Sequence, residues 1–120
     1  GRFLACYTKQ AQPDYKGILR GGRAVTFEAK HTDSGKLTQD RVSDAQSLRL
    51  ASTERFGGVA FILCSFSGKR FYRVPWAVWR DMKEKFGRKY ITPADVEAYR
   101  LKFGGPGVLL FLEGVSYAND

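Results

Sequence analysis

The sequence predicts an α/β domain in which a mixed central β-sheet is flanked by helices. Three observations support this fold class: apolar segments of strand length, segments whose apolar residues recur at helical spacing, and glycine or proline residues that separate them. The predicted order is β-β-β-α-β-β-α-α. A chain of 120 residues is the size of one domain, so we expect residues 1–120 to form a single domain.

The first three predicted strands occupy the N-terminal quarter of the chain. FLACYT is apolar and rich in strand formers, and YKGILRGGRAVTFEAK predicts a hairpin that turns at the paired glycines Gly21 and Gly22. Alternation in the second hairpin strand predicts three core residues and three residues on the opposite face: Val25, Phe27 and Ala29 against Thr26, Glu28 and Lys30. Glu28 and Lys30 should therefore project from the same side of the sheet.

A helix and two further strands follow. HTDSGKLTQD is polar and typical of a loop, and TQDRVSDAQSLRLASTERF predicts a helix that ends at Gly57 and Gly58. Its expected apolar stripe consists of Val42, Ala45, Leu48 and either Ala51 or Ser52. The apolar run GVAFILCSF predicts a buried central strand, and KRFYRV predicts its neighbour across a turn at Ser67 and Gly68.

The C-terminal third predicts two helices. Pro75 begins the first helix and Gly87 ends it. Its aromatic face, which includes Trp76, Trp79, Met82 and Phe86, favours a core or a dimer interface over a base-stacking surface. Thr92 and Pro93 begin the second helix. The segment GGPGVLLFLEGVSYAND fits either a strand or a short helix.

The charge of the chain indicates a polyanionic partner. There are 20 Lys and Arg residues against 12 Asp and Glu residues, which gives a net charge of +8. Such a surplus favours nucleic acid, although a merely basic protein fits the composition equally well. The candidate DNA contacts are Lys9, Lys16, Arg23, Lys69, Arg70 and Arg73. His31 could touch a phosphate or simply be exposed. Cys6 and Cys64 indicate free thiols of a cytoplasmic protein, with a single disulfide as the alternative. No apolar run is long enough to cross a membrane.

Two carboxylates in the basic N-terminal region indicate a metal site. The predicted hairpin brings Asp14 and Glu28 beside each other, where their charges would repel unless a cation lies between them. Oxygen ligands of this kind suit Mg²⁺ or Mn²⁺. Lys30 could then orient or deprotonate a water molecule, or stabilise charge on a phosphate. The alternative is a surface Asp in a turn and an exposed Glu-Lys pair, because short acidic motifs often occur by chance.

The residues Pro13-Asp14 and Glu28-Ala29-Lys30 match the motif of the PD-(D/E)xK nucleases. More particularly, the sequence resembles the RecU-type Holliday junction resolvases of Gram-positive bacteria through YTKQAQPDYKGILRGGRAVTFEAK, AQSLRL, GGVAFILCSF, RFYRVPWAVW and GRKYIT. The resemblance implies a restriction-endonuclease-like core and a Mg²⁺-dependent endonuclease, with Mn²⁺ as a possible substitute. It also implies a homodimer that resolves four-way DNA junctions in recombination and repair.

The resemblance assigns roles to four residues and extends to about residue 100. Asp14 and Glu28 match the metal-binding carboxylates, Lys30 the lysine that stabilises the transition state, and Gln46 a glutamine that completes the metal site. Pro13 stands where the family usually has Thr or Ser, and we expect the N-terminal part of the family domain to be absent. Two alternatives stay open: a phage or mobile-element nuclease with another DNA substrate, and a catalytically silent DNA-binding module.

Overall fold

A five-stranded mixed sheet forms the centre of the structure, a computed structural model that describes residues 4–8, 14–105 and 108–109. In chain order the strands are β1 (Leu4–Thr8), β2 (Asp14–Ile18), β3 (Ala24–Thr32), β4 (Leu37–Thr38), β5 (Val59–Phe66), β6 (Arg70–Pro75), β7 (Tyr90–Ile91), β8 (Phe103–Gly105) and β9 (Val108–Leu109). The helices are α1 (Asp44–Arg55), α2 (Trp76–Arg80) and α3 (Met82–Phe86), with 3₁₀ helices at Gln39–Arg41 and Pro93–Tyr99.

The main sheet has the order β1-β2-β3-β5-β6, and the predicted fold class is confirmed. β3 and β5 run parallel with α1 between them in the chain, and the other neighbours are antiparallel. Both predicted hairpin turns are present. Gly21 and Gly22 have φ of 95° and 88°, and Ser67 and Gly68 have φ of 58° and 67°, so the glycines provide backbone conformations that are unfavourable for most residues.

The two faces of the sheet differ from the prediction for β3. The larger core lies on the face of Thr26, Glu28 and Lys30, all of which are buried, while Ala29 on the other face is exposed. The prediction that only Val25, Phe27 and Ala29 face the core was therefore wrong. β3 is a central strand, and α1 packs over the face that carries its polar residues. Val25 and Phe27 are buried in a smaller cluster on the opposite face.

Helix α1 ends at the predicted glycines, but it begins at Asp44 rather than at Thr38 and buries a different face. Ser43 caps its N-terminus, and Gly57, with φ of 88°, follows its C-terminus. The buried residues of the helix are Gln46 and Leu50, whereas Ala45 is exposed and Leu48 is 72% exposed. The predicted stripe through Ala45 and Leu48 was therefore wrong, because the polar side that carries Gln46 faces the sheet.

The C-terminal elements largely follow the prediction. Trp76, Trp79 and Met82 are buried in the larger core, which confirms that the aromatic face is structural. The predicted single helix is divided at Asp81 into α2 and α3, and the next helix is a 3₁₀ helix.

A short strand replaces a predicted loop, and strands form in the described part of the tail that fitted either a strand or a helix. The segment expected to be a loop contains β4, which pairs with β7 and buries Leu37. The ambiguous tail forms β8 and β9 within its described part, and the remainder of that tail lies outside the described residues. None of the helices in the described ranges is long and apolar enough to span a membrane.

Candidate active site

Glu28 is the centre of the candidate site. It lies in the middle of β3, and its side chain is 0% exposed. The Nε2 atom of Gln46 donates a hydrogen bond to Oε1 of Glu28 at 2.9 Å, and the Nη2 atom of Arg49 lies 3.9 Å from Oε2. A buried carboxylate is costly unless such donors and cations compensate its charge. The contacts from α1 therefore make this buried position tenable for an acidic residue.

Gln46 joins the helix cap to the site. Its backbone N–H donates to the Ser43 hydroxyl at 3.2 Å, and its Oε1 accepts from the Ser43 backbone N–H at 2.9 Å, which completes a capping box. The nitrogen of the same amide group donates a hydrogen bond to Glu28. The prediction that Gln46 points toward the sheet is confirmed. The cap fixes the first turn of α1 and so fixes the amide beside the carboxylate.

Lys30 lies two residues after Glu28 on the same face and is 4% exposed. Burial lowers the pKa of its ammonium group, the Glu28 carboxylate acts in the opposite direction, and Arg41 lowers the pKa further. Nη2 of Arg41 donates to the backbone carbonyl of His31 at 3.0 Å, which holds this guanidinium near the end of β3. The ammonium is thus a positive charge placed at the edge of the core beside a carboxylate.

Asp14 is placed by strand register alone. It is the first residue of β2, and Tyr15 pairs with Phe27 in the antiparallel ladder with β3. Continuing this register by one residue places Asp14 opposite Glu28. The hairpin thus brings the two backbone positions together as predicted, while the Asp14 side chain lies outside the described residues.

The candidate DNA contacts do not form one surface. Lys16 pairs with Thr26 and Arg70 with Phe66, so both lie on the sheet face that carries Glu28. Arg73 pairs with Leu63, which lies on the opposite face. The Nε atom of Arg23 donates to the carbonyl of Gly57 at 2.9 Å, at the end of α1.

The remaining candidates lie elsewhere. Lys69 is exposed in the turn between β5 and β6, and Lys9 lies outside the described residues. The exposed His31 bonds through Nδ1 to Ser65 Oγ at 3.2 Å, on the face opposite Lys30. The DNA contacts of all these residues stay predictions.

Sequence reasoning missed Arg49 and Arg41. Arg49 follows Gln46 by three positions, so helical periodicity places both residues on one face of α1. That spacing was an available signal once Gln46 had been assigned. Arg41 offered no such signal, because its position beside β3 depends on the path of the 3₁₀ segment.

The donor atoms fit a hard divalent cation. The described residues contain no group of three His, Cys, Asp or Glu side chains that could hold a metal ion. Glu28 nevertheless supplies a buried carboxylate, and Gln46 supplies an amide oxygen with a second lone pair beyond its bond to Ser43. Mg²⁺ uses one or two carboxylates and keeps several waters, so three acidic ligands are not required.

A mixed sheet whose central strand carries Glu-x-Lys next to a helix glutamine is typical of PD-(D/E)xK nucleases, and the chain has that fold. The family model for recombination protein U, RecU, matches residues 2–117, and the chain belongs to this family. RecU proteins are metal-dependent endonucleases that bind and cleave Holliday junctions in recombination. A comparison with curated proteins gave no significant match.

Proposed function

We propose that this chain resolves four-way DNA junctions with Mg²⁺ held by Asp14, Glu28 and Gln46, and with Lys30 as the stabilising cation. The observation that carries the proposal is the hydrogen bond from Gln46 to the fully buried Glu28, two residues before the buried Lys30. An ordinary core does not require a glutamine that points from a helix to a buried carboxylate. A pair of apolar side chains in these positions would cost less free energy.

The residues of the chain have separate tasks in this proposal. A divalent ion held there would act as a Lewis acid toward the phosphodiester and would lower the pKa of a water molecule that it binds. Glu28 holds the ion, and Gln46, fixed by its cap on Ser43, keeps the carboxylate in position. The Lys30 ammonium stabilises the negative charge that builds on the phosphate, because a charge preorganised in a partly dry site acts more strongly than in water.

Three further features complete the proposal: the oligomeric state, the ion and the location. The chain acts as a homodimer of single nuclease domains, because symmetric incision of a four-way junction needs two active sites and a two-fold dimer supplies them. Mg²⁺ is the physiological ion, and Mn²⁺ can replace it because both bind oxygen ligands. The protein acts in the cytoplasm, where a bacterial nuclease of this family would meet its DNA.

The test is cleavage of a four-way junction and of linear duplex, with and without Mg²⁺. We expect Mg²⁺-dependent cleavage of the junction in preference to the duplex, and loss of cleavage in Asp14→Asn and Glu28→Gln with DNA binding retained or stronger. Lys30→Ala should lose rate by roughly 10² while ion binding persists. The control is Arg55→Gln, which removes an exposed charge from the last turn of α1 and should cleave normally.

Three outcomes would contradict the proposal. DNA binding without Mg²⁺-dependent cleavage at any enzyme concentration would indicate a silent binding module. Preferred cleavage of another DNA structure would indicate a nuclease with a different substrate. Near-normal cleavage by Glu28→Gln would show that Glu28 does not bind the ion used in cleavage.

A further inference from the structure

We propose that Arg49 couples ion binding to DNA binding: it neutralises Glu28 while the ion is absent and contacts a DNA phosphate when the ion is present. This inference rests on the metal site proposed above at Glu28. It adds a residue that the PD-(D/E)xK motif does not contain.

The position of Arg49 connects the buried site to the surface. Its Nη2 atom lies 3.9 Å from Oε2 of Glu28, and its side chain is 29% exposed whereas that of Glu28 is 0% exposed. The guanidinium therefore reaches inward to the carboxylate from a helix that borders solvent. Arg49 lies on the same face of α1 as Gln46, whose amide contacts the other oxygen of the same carboxylate.

A divalent ion at Glu28 would compete with this guanidinium. Both are cations that need the same carboxylate, and their mutual repulsion is strong at such distances in a partly buried site. The contact of 3.9 Å between Nη2 and Oε2 is longer than a hydrogen bond, so separating these two atoms costs less than breaking a close ion pair. Its partial exposure gives it a path outward.

The outward position suits a phosphate. An Arg guanidinium presents a planar fork of donors that matches phosphate oxygens, and it stays charged at every relevant pH. A DNA strand whose phosphate approaches the ion at Glu28 also approaches this helix face. Lys30 is less able to make such a move, because its side chain is 4% exposed.

The exchange makes the two binding events mutually dependent. A phosphate that holds Arg49 removes the competitor of the ion, so DNA should tighten ion binding, and the ion should tighten DNA binding by the same factor. Direct attraction between ion and phosphate contributes as well and persists without Arg49. A substitution of Arg49 should therefore remove only the part of the coupling that depends on this residue.

The experiment is a calorimetric titration of Ca²⁺, which binds oxygen ligands as Mg²⁺ does, into protein with and without a four-way junction. A gel verifies that the junction stays intact. Relative to the wild type, Arg49→Gln should bind Ca²⁺ about fivefold more tightly without DNA, the lower end of typical coupling between sites, and the enhancement by DNA should fall by the same factor. Arg49→Gln should also make about one phosphate contact fewer with the junction in the presence of Ca²⁺. The slope of log K against log salt concentration should then change by ~0.9.

Two variants accompany Arg49→Gln. Arg55→Gln removes the same charge from the exposed last turn of α1 and should leave ion affinity, coupling and salt slope unchanged. Arg49→Lys keeps a cation and should keep the ion affinity of the wild type without DNA. It also maintains the test if Arg49→Gln does not fold.

Different results would overturn different claims. The role of Arg49 fails if Arg49→Gln binds Ca²⁺ no more tightly than the wild type without DNA, or if Arg49→Lys matches the affinity expected of Arg49→Gln. The proposed metal site fails separately if Glu28→Gln binds Ca²⁺ like the wild type. Loss of Ca²⁺ binding in Glu28→Gln, together with no effect in Arg49→Gln, would refute the Arg49 inference alone.

Discussion

Replacing Gln46 by Ala should weaken both the fold and the metal site, because one amide group serves both. The substitution removes the bond to the Ser43 backbone N–H and the bond to Glu28. Half of a capping box stabilises by about 1 kcal/mol, and a hydrogen bond to a charged acceptor by about 1.5–3 kcal/mol. We therefore expect Gln46→Ala to lower the free energy of unfolding by about 3 kcal/mol, a large share of the roughly 5–15 kcal/mol typical of a domain.

Urea unfolding with and without Mg²⁺ measures both contributions. In the wild type Mg²⁺ should raise the free energy of unfolding, because an ion that binds the native state alone stabilises it. The increment should be smaller in Gln46→Ala, which has lost a proposed ligand. Ser43→Ala is the matched control: it removes the hydroxyl that accepts from the Gln46 backbone, costs about 1 kcal/mol, and keeps the amide on Glu28. Its Mg²⁺ increment should equal that of the wild type.

A second substitution separates the cap from the charge. Gln46→Glu retains an oxygen for the capping box but places a second carboxylate against Glu28. It should destabilise the ion-free protein and gain more from Mg²⁺ than the wild type does. The reasoning is refuted if Gln46→Ala is no less stable than Ser43→Ala and retains the full Mg²⁺ increment.

Two further predictions concern Lys30 and Gly58. Burial lowers the pKa of Lys30, so the unfolded chain binds more protons between that lowered pKa and the ordinary 10.5, and the free energy of unfolding of the ion-free protein should rise with pH in this window. Lys30→Met should remove the rise, and an unchanged pH profile would contradict it. A Cβ atom at Gly58 would lie 2.6 Å from Cγ2 of Thr53 and 2.8 Å from the Ala24 carbonyl oxygen, so Gly58→Ala should cost about 1–3 kcal/mol in urea unfolding. Gly35→Ala, with open space around it, should be nearly neutral; equal effects of the two would contradict the packing argument.

The sequence located the turns more accurately than it predicted which faces of β3 and α1 are buried. Paired glycines require a particular backbone conformation, so the turn at Gly21 and Gly22 could be located from local chemistry. Alternation along β3 separated its two faces correctly, yet it could not show which face the helix would cover, so Ala29 was wrongly placed in the core. The contact of Arg41 with the His31 carbonyl depends on the path of the 3₁₀ segment, which no local pattern contains.

The wrong prediction of the buried face of α1 arises from the same residues that the proposed function uses. A search for an apolar stripe selects Ala45 and Leu48, but the helix turns Gln46 and Arg49 toward the sheet and leaves Leu48 72% exposed. That choice opposes the hydrophobic effect, and it is tolerated because Gln46 and Arg49 compensate the buried charge of Glu28. The polar contacts of the site are therefore also contacts that hold α1 on the sheet. It follows that a loss of cleavage in any variant of these residues identifies a chemical role only if the free energy of unfolding is measured in the same variant.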